Sequence, residues 1–255
     1  ALGKNANVVF NVGTTSFQKK ASLNIQRGSS LTIAQGATFT FTGSSTFDVF
    51  GTLKYENTSA FLEIASNMTI ANTGNVVLSN ALSIAKGGTV TLDARSDGSA
   101  AISMASTGNG RVILNGGRLK IASKNALAVD QIGLYAGSSS TLELSARNEI
   151  NNVYFNPNTK LALVLTGADA SAFIKSFGGT VDLTIEGFAN EKVFFDDNGW
   201  WDSAKITATD GSKTYTKEQL ELVATTGEMT SQGKYVLSLI TVPEPSSYAL
   251  VLGAI

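Results

Sequence analysis

Two short acidic clusters hold the side chains with the most chemical potential. In Asp196-Asp197-Asn198-Gly199-Trp200-Trp201-Asp202, three carboxylates and an amide crowd into one short stretch. Ca²⁺ takes oxygen ligands, so Asp196, Asp197 and Asp202 are candidate Ca²⁺ ligands. The adjacent Trp200 and Trp201 are candidate glycan contacts, because an indole face can stack on a sugar ring. The EF-hand spacing fails here, since Gly199 follows Asp-Asp-Asn directly and no Glu stands at the twelfth loop position. The competing reading is a tight turn whose indoles pack against the end of a domain, with no metal. The second cluster, Asp93-Ala94-Arg95-Ser96-Asp97-Gly98, sets carboxylates beside a guanidinium, as sugar-cleaving enzymes do. Carboxylates are sparse from residue 20 to 145 and nothing places a partner on a neighbouring strand, so this cluster reads as an exposed corner. No catalytic residue is assigned.

Other chemistries are closed by composition. The chain has no Cys and no His. Thiol nucleophiles, Ser-His-Asp triads, Cys/His zinc sites and iron–sulfur clusters are excluded, as is the usual general base near neutral pH. Lys+Arg is 19 and Asp+Glu 20, a net charge of −1, without the basic excess of a nucleic-acid binder. No cofactor is implied. Gly108-Asn-Gly110 and Gly116-Gly117 lack the Lys-Ser/Thr of a phosphate loop and read as turns. Asn57-Thr-Ser59 and Asn67-Met-Thr69 fit a glycosylation pattern but read as corners.

The elements around these clusters are strands. With 255 residues, 43% of them hydrophobic and only 15% charged, the chain can bury a large core. Apolar pairs at i, i+2 recur from Leu23/Ile25 through Leu31/Ile33, Phe39/Phe41, Phe47/Val49 and Leu53/Tyr55 to Leu119/Ile121 and Leu142/Leu144. Period two is the strand signature. Gly, Ser, Thr and Asn separate the pairs. An internal template, apolar-x-apolar-x-x-Gly-x-x-apolar-x-apolar, fits Leu23–Ile33, Leu31–Phe41 and Leu82–Leu92, with Gly28, Gly36 and Gly87 at the same place. Glycine takes positive φ at no steric cost, so the template reads strand, corner, strand.

Strands this short, spaced this closely, predict an all-β right-handed parallel β-helix, a solenoid with coils of roughly 20–25 residues. The alternative is a β-sandwich. The body is expected over residues 1–187 and a small β-rich C-terminal cap over 188–242. In the cap, a hairpin is expected around Asp210-Gly211, a short helix from Thr216 with Gln219 completing a capping box, and a last strand from Lys234.

The end of the chain reads Val242-Pro243-Glu244-Pro245-Ser246-Ser247-Tyr248-Ala249, then an apolar run to Ile255. Proline breaks regular structure, so Pro-Glu-Pro marks an extended segment. These residues resemble the PEP-CTERM sorting signal of exported bacterial proteins: Pro243, Glu244 and Pro245 match the signature, Ser246 and Ser247 the small hydroxyl positions, and Tyr248 the aromatic. The rest of the family's hydrophobic helix and its terminal Arg cluster are missing, which suggests a truncated tail, while the start at Ala1 rather than Met reads as a removed signal peptide or a fragment. The resemblance covers about 14 residues and implies export, recognition by an exosortase-type membrane transpeptidase, transient anchoring through the tail, and delivery to the cell surface or an extracellular matrix. The body also resembles, generically, the solenoid passenger regions of bacterial surface proteins. The resulting expectation is a non-enzymatic structural or adhesive protein with exopolysaccharide or surface glycan as partner. The alternative is a carbohydrate-binding or carbohydrate-active β-helix.

Overall fold

The computed structural model describes residues 5–18, 20–95, 97, 99–105, 111–124 and 126–240. The body is a parallel β-solenoid. Each coil contributes strands to three ladders, here called faces 1, 2 and 3 in the order the chain meets them. On face 1, residues 30–33 pair with Thr52–Tyr55, which pair with Asn75–Leu78. On face 2, Leu82–Ala85 pair with Arg111–Asn115, then Gln131–Leu134, then residues 153–155. On face 3, Ser22–Ile25 pair with residues 46–49, and the ladder continues in parallel register to Lys205–Thr209. This is the predicted β-helix, and the sandwich alternative is set aside.

The period-two pairs explain the packing. Alternate residues of each strand point inward, so Leu31/Ile33, Phe41, Phe47/Val49, Val76/Leu78 and Leu119 are wholly buried in one continuous apolar column. Aromatic rings concentrate toward its two ends. Phe41 lies 4.7 Å from Phe17 and 4.4 Å from Phe47 near the start, and Phe177, Phe195 and Trp200 cluster near the close. Hydrogen bonds between coils recur at 22, 23, 24 or 25 residues, the predicted coil length. The exception follows Leu92. There Ser123 Oγ donates to Asp93 O, 30 residues away, because this coil is longer than its neighbours, with Thr89–Leu92 pairing with Arg118–Ile121.

Several corners differ from expectation. Gly28 and Gly87 take φ of +81° and +84° and turn the chain as the template predicts. Gly36 does not: it lies inside Ser30–Val49, a single strand that runs through all three faces of one coil. Its small size matters instead, since a Cβ there would meet Asn11 O at 2.9 Å. The template therefore describes two sides and the junction between them, and its three copies fall at the three different junctions of the coil. Asn57 is the corner residue predicted, with its amide nitrogen donating to Ala37 O at 2.8 Å. Asn67 is not, because it stands exposed within the strand Leu62–Ile70.

Beyond residue 192 antiparallel pairing joins the parallel stacking, which itself continues through residues 193–195 and 205–209. Val193–Phe195 pairs with Tyr235–Leu239, which pairs with Leu220–Ala224. Lys205–Thr209 forms the predicted hairpin with Thr214–Thr216, Gly211 at its tip with φ +96°. The predicted helix is cut to a 3₁₀ turn, Lys217–Gln219, although Gln219 Oε1 does accept from the Thr216 N–H at 3.1 Å. Leu220–Ala224 continues as strand because Tyr235–Leu239 offers it a ladder. Tertiary pairing overrides the local helix signal.

Candidate functional site

The structure places the acidic Trp turn in the cap. Trp200 is buried: its ring packs 4.6 Å from Phe177 and 4.9 Å from Phe195, and its Nε1–H donates to Asp197 O at 2.7 Å. Trp201 is half-buried with the Lys217 ammonium 5.3 Å from its ring centre. The two indoles meet edge to face at 75°, so they offer no shared flat platform. Trp200 thus plugs the end of the core, and the two indoles present no common face. Asp197 spends a carboxylate oxygen on the Gly199 N–H at 3.0 Å, closing the turn. Asp196, Asp197 and Asp202 do not converge, and no acidic cluster able to hold a metal occurs among the described residues.

Asp93, Arg95 and Asp97 stand outside the strands, after Leu92. The Arg95 guanidinium is drawn inward, donating to Gly74 O and to Ser99 Oγ, with Asp97 at 3.5 Å. The Asp97 carboxyl is held below its ordinary range, first by the Ser99 N–H and hydroxyl and then by Arg95. Burial, with Asp48 nearby, pushes the Asp93 carboxyl up. The guanidinium is thus committed to holding the loop together. Pro243, Glu244, Pro245 and Ser246 lie outside the described residues.

A different site stands on face 2. Strand register places residues of three coils in three outward rows there. Ile113, Gly133 and Tyr154 occupy one row, Arg111 and Gln131 a second, and Tyr135 and Asn156 lie at the strand ends beyond them. With Phe61 they line an open groove of about 380 Å³. Phe61, Tyr135 and Tyr154 are 41%, 53% and 42% exposed, and all three contribute to this one groove. Gly133 forms part of its lining.

The geometry of these rows is specific. The Tyr154 ring lies against the backbone of Gly178 on the next coil, where a Cβ would come within 2.5 Å of the ring. Gly178 is therefore required to seat Tyr154. Gly133 is different. A Cβ there would meet nothing nearer than Gln131 Oε1 at 4.0 Å, so neither backbone nor packing demands glycine. Glycine inside a strand weakens it by about 0.5–1 kcal/mol against Ala, and commonly marks a close approach by something else. Gln131 reaches Asn152 at 3.4 Å, and the Asn156 amide donates to Leu134 O at 2.6 Å, so these amides are held in place. Arg111 is exposed, with no carboxylate in ion-pair distance among the described residues. The groove offers apolar ring surfaces beside fixed amides and one available guanidinium.

None of these groove residues was singled out from the sequence. The available signals were two aromatics flanking inward positions, Tyr135 after Leu134 and Tyr154 before Phe155, and a glycine at an outward strand position. No family model, curated protein or solved structure matches the chain.

Proposed function

We propose that this chain is an exported, non-enzymatic bacterial surface or extracellular-matrix protein, whose solenoid is the displayed body and whose C-terminal tail is its routing signal. The observation that carries the reading is Pro243-Glu244-Pro245-Ser246-Ser247-Tyr248 followed by an apolar run, starting shortly after the last cap strand ends at Leu239. Pro-Glu-Pro cannot join a ladder, so it favours an extended segment that a membrane transpeptidase of the exosortase type can grip. The body suits display. Its inward columns bind each coil to the next, and its outward rows carry Thr32, Thr38, Thr40, Asn67 and Thr69 on the early coils, joined by Arg118, Lys120 and Glu143 on later ones, so polar groups face out along the stack.

A second reading makes the same body a carbohydrate-binding solenoid, and the face 2 groove is the observation that favours it. The two readings are compatible: one concerns address and the other contact.

The routing reading is tested by mass spectrometry of the protein recovered from exosortase-bearing cells. Wild type should lose its residues C-terminal to the Pro-Glu-Pro region and leave the membrane fraction. Pro243→Ala/Glu244→Ala/Pro245→Ala should stay unprocessed and membrane-associated. Identical termini and fractionation for the two proteins would overturn the reading.

A further inference from the structure

We propose that the groove over Gly133 binds an extended acidic polysaccharide, with pyranose faces against Tyr135, Tyr154 and Phe61 and a sugar carboxylate at Arg111. This deepens the carbohydrate-binding reading and rests on it, but is independent of the routing signal.

The first argument is shape. Neighbouring strands lie about 4.8 Å apart, so the four coil steps from Phe61 to Tyr154 span roughly 19 Å along the stack. The groove runs along this axis and is open to solvent, which suits a segment of a long chain better than a compact small molecule.

The second argument is chemistry. A pyranose has an apolar C–H face and a rim of hydroxyls. Three exposed rings, that of Tyr154 seated on Gly178, match the first, and amides held in place match the second. Tyr154 is seated on Gly178 and needs little further ordering, which lowers the entropic cost of binding. A purely apolar partner would leave the Arg111 guanidinium and the amides facing nonpolar surface, at a desolvation cost.

The third argument is charge. Arg111 is the one charged residue lining the groove. Glu63, in the outward row of the Leu62–Ile70 strand, does not line it. A guanidinium pairs with a planar carboxylate through parallel N–H···O bonds, so a uronate fits better than a neutral sugar.

The fourth argument is Gly133. A side chain there would fill the floor without straining the fold, so its absence keeps the groove deep. Gly133→Thr is accordingly a variant that blocks the site and spares the body.

The test is affinity electrophoresis and calorimetry of the full chain with polygalacturonate, alginate and hyaluronate. Methyl-esterified polygalacturonate serves as the uncharged counterpart. At least one acidic polymer should bind, more tightly than the ester does where galacturonate is the ligand, and more weakly as salt rises. Arg111→Gln should lower that affinity about tenfold to a hundredfold, the range for a charged hydrogen bond. Gly133→Thr should abolish binding with an unchanged or higher melting temperature. Binding to none of the polymers would overturn both the groove proposal and the carbohydrate-binding reading. Equal binding of acid and ester, or an unaffected Arg111→Gln, would overturn the acidic assignment alone. Unaltered binding by Gly133→Thr would place the ligand elsewhere.

Discussion

Two glycines make opposite predictions for the same substitution. Gly74 and Gly133 both have φ outside the left-handed region, so alanine removes the same excess freedom from the unfolded chain at each. That effect alone stabilises by about 0.4–1 kcal/mol. At Gly133 nothing opposes it, because the new methyl has no neighbour inside 4.0 Å. At Gly74 the Cβ would sit 1.9 Å from Val49 O and 2.9 Å from its carbonyl carbon. The backbone must move by more than an ångström, in a corner where Gly74 N–H donates to Ala71 O and Asn75 N–H to Gly51 O, both at 2.8 Å. Overpacking costs about 1–3 kcal/mol and each weakened hydrogen bond about 1, a net loss of roughly 2–5 kcal/mol for Gly74→Ala. Urea unfolding followed by circular dichroism reads both as midpoint shifts at a common slope. Gly133→Ala should move the midpoint up and Gly74→Ala clearly down. A neutral Gly74→Ala, or a destabilising Gly133→Ala, would refute the coil spacing at the first site or the vacant floor at the second.

Phe41→Ala should cost about 3–5 kcal/mol, since the ring is wholly buried between Phe17 and Phe47, whereas Phe50→Ala, 38% exposed, should stay within about 0.5 kcal/mol in the same melts. In the cap hairpin, the Tyr215 hydroxyl donates to Asp210 Oδ2 at 2.7 Å and holds that carboxyl below its ordinary range. A depressed folded pKa gives stability that is present above the ordinary carboxylate pKa and lost as pH falls through the folded one. Tyr215→Phe should therefore raise the Asp210 pKa in a carboxyl NMR titration and flatten the acid-side loss of hairpin order; an unmoved Asp210 pKa would remove that bond from the account. Burial pushes the Tyr55 phenol up to about 12, and the phenol donates to Phe61 O at 3.0 Å. The unfolded chain ionises this group first as pH climbs from 10 toward 12, so stability falls there, and Tyr55→Phe should lessen the fall in alkaline melts.

The inward-facing residues were legible because a solenoid strand has one buried side and period two announces it: Leu31/Ile33 and Phe47/Val49 read directly as core. Thr216–Val223 misled because its capping box is real but only closes a 3₁₀ turn, and the helix lost to a ladder formed with Tyr235–Leu239, distant in sequence. Trp200 suggested a binding platform because a sequence cannot say which side of a turn is wet. The groove was hidden for a related reason. Phe61, Arg111, Gly133 and Tyr154 come from separate coils, and the loop after Leu92 breaks the regular spacing between them. Only register brings them together.

The most direct measurement uses the absence of cysteine from the chain. Asn72→Cys creates a single thiol at an exposed corner of the solenoid. Intact cells of an exosortase-bearing host are treated with a membrane-impermeant maleimide, and the labelled fraction is compared with that after lysis. The account predicts labelling on intact cells or in their extracellular matrix, sharply reduced when Pro243, Glu244 and Pro245 are changed to alanine. Labelling that requires lysis in the protein with its tail intact would contradict it.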